Sequence, residues 1–318
     1  MRNERRRADE PLMTIRFDRP VSHAAHASRL VAAFALVLCV LVLLGHRFGP
    51  LETPYFVLFL LISAAIAAIA VVLSSIGFVQ LWQRGAEGGV SAFKALVYAA
   101  LPLALVGYGM ERYVTRPDIH DVSTDLADAP AWLVSPHAAQ IWLPHDEVST
   151  RDRQMQADAY PALTGRRYEG AMDRVLEAAR AVARDNGIRI TKVDGASNTE
   201  PDVDTKRTRR AKPRPADESA VTDAPDVVPI PTPRPATEDE VASLIQQNSD
   251  VTLQGEKRTA ILGLRFDVVI RLREEAETTL VDIRVASRYG PHDLGLSAGI
   301  AEAYLKALDA ELLGISGG

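Results

Sequence analysis

Residues 55–79 read YFVLFLLISAAIAAIAVVLSSIGFV, 25 consecutive residues without a charge. A helix needs roughly 20 predominantly apolar residues to cross a bilayer. This run meets that length and sets the reading of its neighbours. Ahead of it lies Leu30 to Gly45, extendable to Ala27. Behind it lies Ala95 to Met110, which carries Pro102 and Gly107. Both are short for a full crossing, so their polar ends must snorkel to the interfaces. An apolar run near the start of a chain is also the mark of a cleaved signal peptide. However, His46-Arg47-Phe48-Gly49-Pro50 lacks the small-x-small cleavage pattern, and a longer apolar run follows at once. Three closely spaced runs predict three transmembrane helices within residues 30–110.

Orientation follows from Lys and Arg in the short flanks. The tail, residues 1–29, carries Arg2, Arg5, Arg6, Arg7, Arg16, Arg19 and Arg29. The loop 46–54 has only Arg47, and the loop 80–94 has Arg84 and Lys94. A start at Met13 would leave Arg16, Arg19 and Arg29, still the larger count. The tail is therefore expected in the cytoplasm. Three crossings place residues 111–318 on the far side, the periplasm if the membrane is a bacterial inner membrane. No acid or base lies within the centre of a span, which argues against a pump or transporter. The helices read as an anchor in the lipid bilayer.

The formal net charge is −5, and it is unevenly spread. The tail is net positive and the anchor nearly neutral, so residues 111–318 carry the negative balance. That argues against a nucleic-acid partner, which calls for a basic face. Cys39 is the single cysteine, so no intramolecular disulfide forms.

Beyond the anchor, Pro117 and Pro130 predict an extended or turn-like stretch from Glu111 to Trp132. Tyr168 to Arg184 reads as an amphipathic helix, with Tyr168, Met172, Val175, Leu176, Ala179, Val182 and Ala183 at three- and four-residue spacing. Asn186-Gly187 stops it, and Ile188 to Val193 follows as a strand. Residues 196–237 hold eight prolines, seven bases and seven acids. A disordered insertion is expected there, because so few apolar residues cannot offset the entropy of ordering. Thr237-Glu-Asp-Glu240 resembles a capping box that reopens the fold. Then Leu264, Phe266, Val268, Ile270 and Leu272 alternate with Arg265, Asp267, Val269, Arg271 and Arg273. Val281, Ile283, Val285 and Ser287 alternate with Asp282, Arg284, Ala286 and Arg288. This period of two predicts two half-buried strands, joined as a hairpin through Glu274 to Glu277. Leu296, Ile300, Tyr304, Leu308 and Leu312 predict a closing helix. The fold class expected is three transmembrane α-helices followed by an α+β domain, an antiparallel sheet with helices packed on one face.

Three ordered stretches carry a family resemblance. Val281-Asp-Ile-Arg-Val-Ala-Ser287-Arg288-Tyr-Gly290-Pro-His-Asp293-Leu-Gly295 resembles the closing signature of the DUF1499 family. Arg116-Pro-Asp-Ile-His-Asp-Val-Ser-Thr-Asp125 resembles its opening signature. Gly263-Leu-Arg-Phe-Asp267-Val-Val-Ile-Arg271 is similar to its central strand. The resemblance implies a domain over about residues 114–312, interrupted by the insertion, and it implies no activity. Phe266, Ser297 and Ala298-Gly299 depart from the family pattern. If those positions formed a polar site, part of it is lost here, which weakens an enzymatic reading.

Candidate chemistry gathers at two places. Asp121 and Asp125 are a carboxylate pair suited to acid–base work, or to turn hydrogen bonds. Ser287, Arg288, His292 and Asp293 sit where a strand gives way to a helix N-terminus, a place that attracts anions. The structural alternative has Asp293 capping the last helix and Arg288 paired with Asp282 or Asp293. Arg284 and Asp282 share a strand face with Arg288. No phosphate loop, dinucleotide fingerprint, HExxH pattern or Ser-centred elbow is present. His137 and His145 flank Trp142 too widely for zinc, and no metal or cofactor is expected. The function expected is a non-catalytic envelope module that binds a partner protein or a small anionic ligand. The alternative is a periplasmic hydrolase using Asp121, Asp125, Asp282 or Asp293.

Overall fold

The computed structural model describes residues 22–85, 87–136, 138, 141–195 and 250–314. The expected insertion at 196–237, the capping box after it and residues 1–21 of the tail lie outside the described residues. The chain divides into two units, one built on the apolar helices and one on an α+β domain.

The first unit holds α1 (His23–Phe48), α2 (Thr53–Arg84) and α3 (Gly89–Thr115). All three are long and apolar enough to cross a membrane. They extend beyond the apolar runs because helical hydrogen bonding continues into polar flanks until a cap ends it. Ser22 caps α1 by accepting from the Ala25 N–H, and Gly85, in the left-handed region, closes α2. Residues 111–115, read from the sequence as extended, are the last turn of α3. The stop falls at Arg116, the residue Pro117 restricts.

Packing among the three helices is inside out relative to a water-soluble bundle. Ala32, Ala70 and Ala95 form one buried layer, and Ala35, Ala67 and Ala99 the next. The Ser63 and Ser74 hydroxyls donate to the carbonyls of Ala35 and Ala92, each at 2.8 Å. Leu30, Phe34, Leu41 and Val72 point outward, each at least 60% exposed. Small residues let helix backbones approach where lipid supplies no hydrophobic drive between helices, and large apolar side chains face the acyl chains.

The second unit is a six-stranded antiparallel sheet with helices. Its elements are β1 (Asp121–Ser123), α4 (Thr150–Ala159), β2 (Arg166–Glu169), α5 (Met172–Asp185), β3 (Ile188–Asp194), β4 (Val251–Arg258), β5 (Arg265–Glu274), β6 (Thr278–Ser287) and α6 (Leu296–Leu312). The order is β1-β6-β5-β4-β3, and β2 pairs with the other end of β6 on the same side as β1. The register sets Val268 opposite Val285, Ile270 opposite Ile283 and Leu272 opposite Val281. These six side chains are buried beneath α5 and α6. Val175, Leu176, Ala179 and Val182 come from α5, and Ile300, Tyr304 and Leu308 from α6. The Tyr304 hydroxyl donates to the Ala179 carbonyl at 3.2 Å, joining the two helices.

Two local expectations change. Tyr168 belongs to β2, and α5 begins only at Met172. Gly170, at φ 124°, breaks the chain between them in a conformation that a side chain would strain. The β5 strand is also not half-buried, since Phe266 to Leu272 are all buried. Its charged face is covered as well as its apolar one.

Candidate functional site

What covers the charged face is the chain from Thr124 to Pro136. Gln254 on β4 exchanges two hydrogen bonds with the Val134 backbone, at 2.7 and 2.9 Å. Arg271 on β5 reaches the carboxylates of Asp125 and Asp128. Arg284 on β6 donates to the Pro130 carbonyl and lies 4.8 Å from the Trp132 ring centroid. Buried charge needs a partner and hydrogen bonds. Alternation in β5 and β6 supplies them by placing acids and bases on the same face.

The charges form three groups. Arg271 takes Asp282 opposite it, together with Asp125 and Asp128. Arg284 and Arg153 of α4 share Asp121, at 2.8 and 3.0 Å. Arg288 is shared by Asp267 and Glu256, each at 2.6 Å. Pairing of Arg288 with Asp282 is therefore corrected. Six residues along one strand separate them by about 20 Å, whereas Asp267 and Glu256 sit beside Arg288 on the neighbouring strands. Burial raises the Glu256 carboxyl, but the hydrogen bond and charge of Arg288 outweigh it and leave the pKa below the usual value. Asp128 is lowered in the same way, with Arg273 and Arg271 overcoming burial.

A cavity of about 410 Å³ opens at the Arg284–Arg288 end of this face. His120, Asp121, Trp132, His145, Arg284 and Arg288 line it, with Ser287, Asp146 and Glu147. The His120 and His145 rings stack, with centroids 4.4 Å apart. Burial, followed by the neighbouring His145, holds His120 below its ordinary 6.5, against the opposing pull of Asp121, Asp152 and Asp293. On β1, Gln156 of α4 bonds both the N–H and the carbonyl of Ser123, which fixes the strand bearing Asp121.

Of the residues singled out from the sequence, Asp121, Arg284, Ser287 and Arg288 meet at this cavity. Ser287 donates its hydroxyl to the Tyr289 carbonyl at 3.1 Å. Asp282 and Asp125 belong to the separate group around Arg271, and Asp125 also accepts from the Ala127 and Asp128 N–H groups in a turn. Asp293 accepts from the Gly295 and Ser297 N–H groups at 2.7 and 2.8 Å, so the chain's own carboxylate occupies the N-terminus of α6. His292 accepts from the Leu294 N–H and does not line the cavity. Trp132 and His145 complete the cavity from segments with no local pattern, and Arg153 of α4 backs Asp121 from behind it. Only the fold brings them to the sheet. Among the described residues, no group of three or more His, Cys, Asp or Glu is arranged to hold a metal ion.

Residues 121–308 match the family described as Protein of unknown function (DUF1499). No curated protein and no solved structure matches the chain. The matched stretch opens on β1, takes in every strand and most of α6, and spans more than half of the chain, which therefore belongs to the DUF1499 family.

Proposed function

We propose that the chain is a membrane-anchored binding module whose site is the cavity beside Trp132. In this reading the tail lies in the bacterial cytoplasm, α1 to α3 cross the inner membrane, and the α+β domain stands in the periplasm. The arginines of the tail support that orientation. One observation carries the binding assignment. The cavity has the size of a small-molecule site, and ion pairs already hold its polar walls in place. Walls that need no ordering cost a ligand less on binding.

The same pairs speak against the hydrolase reading. Asp121, Asp125 and Asp282 accept from guanidinium groups, and Asp293 accepts from two backbone N–H groups. A general acid or base must exchange its proton with substrate, and these carboxylates are engaged as acceptors elsewhere.

The test uses the full chain in detergent with Trp82→Phe and Trp142→Phe, so that Trp132 is the remaining indole. Small cations, anions and neutral molecules are titrated against its emission. A saturable change with one class is expected, and a flat response to all classes ends the reading. For orientation, alkaline phosphatase and a cytoplasmic fluorescent protein are each fused after Gly318. Active phosphatase with a dark fluorescent fusion is expected, and the reverse places the domain in the cytoplasm.

A further inference from the structure

The charge left over in this cavity is negative, despite its two arginines. Arg284 gives Nε and Nη2 to Asp121 and Nη1 to the Pro130 carbonyl. Arg288 is held by Asp267 and Glu256. Asp146 and Glu147 line the cavity too, and their carboxylates have no ion pair or hydrogen bond among the described residues. Both residues are exposed, so their charge stands at the solvent side.

A second observation is independent of those carboxylates. His120 lines the same cavity and is 9% exposed, and its ring nitrogens have no hydrogen-bond partner among the described residues. The ring body is buried while its nitrogens have no partner among the described residues, so whatever completes them enters through the cavity. Burial and the stacked His145 favour the neutral imidazole, which has a nitrogen lone pair to accept an N–H. The Trp132 ring lines the same cavity and already carries one cation, the Arg284 guanidinium 4.8 Å from its centroid.

We propose that the cavity binds a small organic cation bearing N–H donors, an alkylammonium or a guanidinium. His120 accepts one hydrogen bond, and Asp146 and Glu147 supply the counter-charge. This proposal rests on the reading of the cavity as the binding site. A free amine and the side chain of a lysine- or arginine-bearing peptide present the same group.

The test is the Trp132 titration of the full chain, with butylammonium, agmatine, tetramethylammonium, phosphate, succinate and the peptide Gly-Lys-Gly as probes. Butylammonium and agmatine are expected to saturate, with phosphate and succinate flat. Tetramethylammonium, which has no N–H, binds more weakly than butylammonium if His120 acts as an acceptor. Asp146→Asn and Glu147→Gln each lower cation affinity by roughly two- to fivefold, the scale of exposed ion pairs, without moving Tm. A peptide that binds more tightly than butylammonium identifies a peptide source, and the opposite order identifies a free amine. Saturation by phosphate or succinate alone overturns the cation assignment while the binding reading stands. Cation binding untouched by both acidic substitutions also overturns it. A flat response to every probe ends both readings.

Discussion

Arg271 and Asp282 face each other across β5 and β6, with Nη2 3.1 Å from Oδ2 and both side chains at most 9% exposed. The pair is closed in by Asp125 and Asp128 from above, and by Thr124, whose hydroxyl donates to Asp282 Oδ1 at 3.0 Å. A buried pair of this kind contributes little over an apolar pair of the same shape, yet breaking it leaves a charge stranded.

Arg271→Ala is therefore expected to destabilise the domain by about 3–5 kcal/mol, because Asp282 loses its guanidinium in a buried position. Thermal unfolding of the full chain in detergent measures this as a drop in Tm of roughly 10 °C or more. The exposed pair of Arg167 with Glu275 is the control. Arg167→Ala should leave Tm unchanged, and an equal drop for both variants would show that burial does not decide the effect.

Gly165 packs against the same carboxylate, and a Cβ there would collide with Asp282 Oδ1. Asp282 cannot swing aside without leaving Arg271 and Thr124. Gly165→Ala should lower Tm, and its cost should shrink in the Asp282→Ala background, because neighbouring sites couple. Additive costs in the double variant would place the clash elsewhere.

The course of the chain was legible in its apolar patterning wherever one residue period ran unbroken. Spacing of four from Leu296 to Leu312 marked α6 to the residue, and alternation marked β5 and β6 to within three. The three spans were visible, but their ends were not, because Ser22 and Gly85 set them rather than hydropathy. The α4 helix has no apolar stripe to mark it in the sequence, since Gln156 is its single buried residue. The β4 strand, VTLQGEKR, loses its alternation at Gly255. For the site, the sequence showed which residues share a β6 face, but not that Trp132 and His145 lie against them. Trp132 is placed by the Thr124–Pro136 crossing, whose turns carry no period, and His145 by the loop ahead of α4.

Asp293→Ala removes the acceptor of two N–H groups at the start of α6 and should cost about 0.5–2 kcal/mol. Asp293→Asn keeps one acceptor oxygen and should recover part of that. If Trp132 titrations are unchanged in both variants while Tm falls, Asp293 acts on the helix alone. Loss of binding at unchanged Tm would instead place it in the cavity's function.

In the anchor, Ala67→Leu inserts a branched side chain where Ala35 and Ala99 meet α2. Overpacking a close helix crossing costs about 1–3 kcal/mol. Ile69→Leu, on an outward face, is the matched control and should be silent. The readout is Tm of the full chain in detergent. Equal tolerance at both positions would contradict the small-residue packing.

His120 gives the domain a pH dependence of defined sign. Its folded pKa lies below the ordinary 6.5, chiefly through burial and then through His145, while Asp121, Asp152 and Asp293 pull the other way. The unfolded chain therefore takes up a proton at a pH where the folded chain does not. By linkage, the stability from keeping His120 neutral is fully present above about 6.5 and is lost as pH falls from there towards the folded value. Asp250 has the opposite sign, because burial raises its pKa and protonation favours the folded state, so the total slope mixes the two. Comparing the native chain with His120→Gln isolates the histidine. The fall in Tm on going from neutral to mildly acidic pH should be smaller in the variant, and identical slopes would mean that His120 takes up its proton equally in both states.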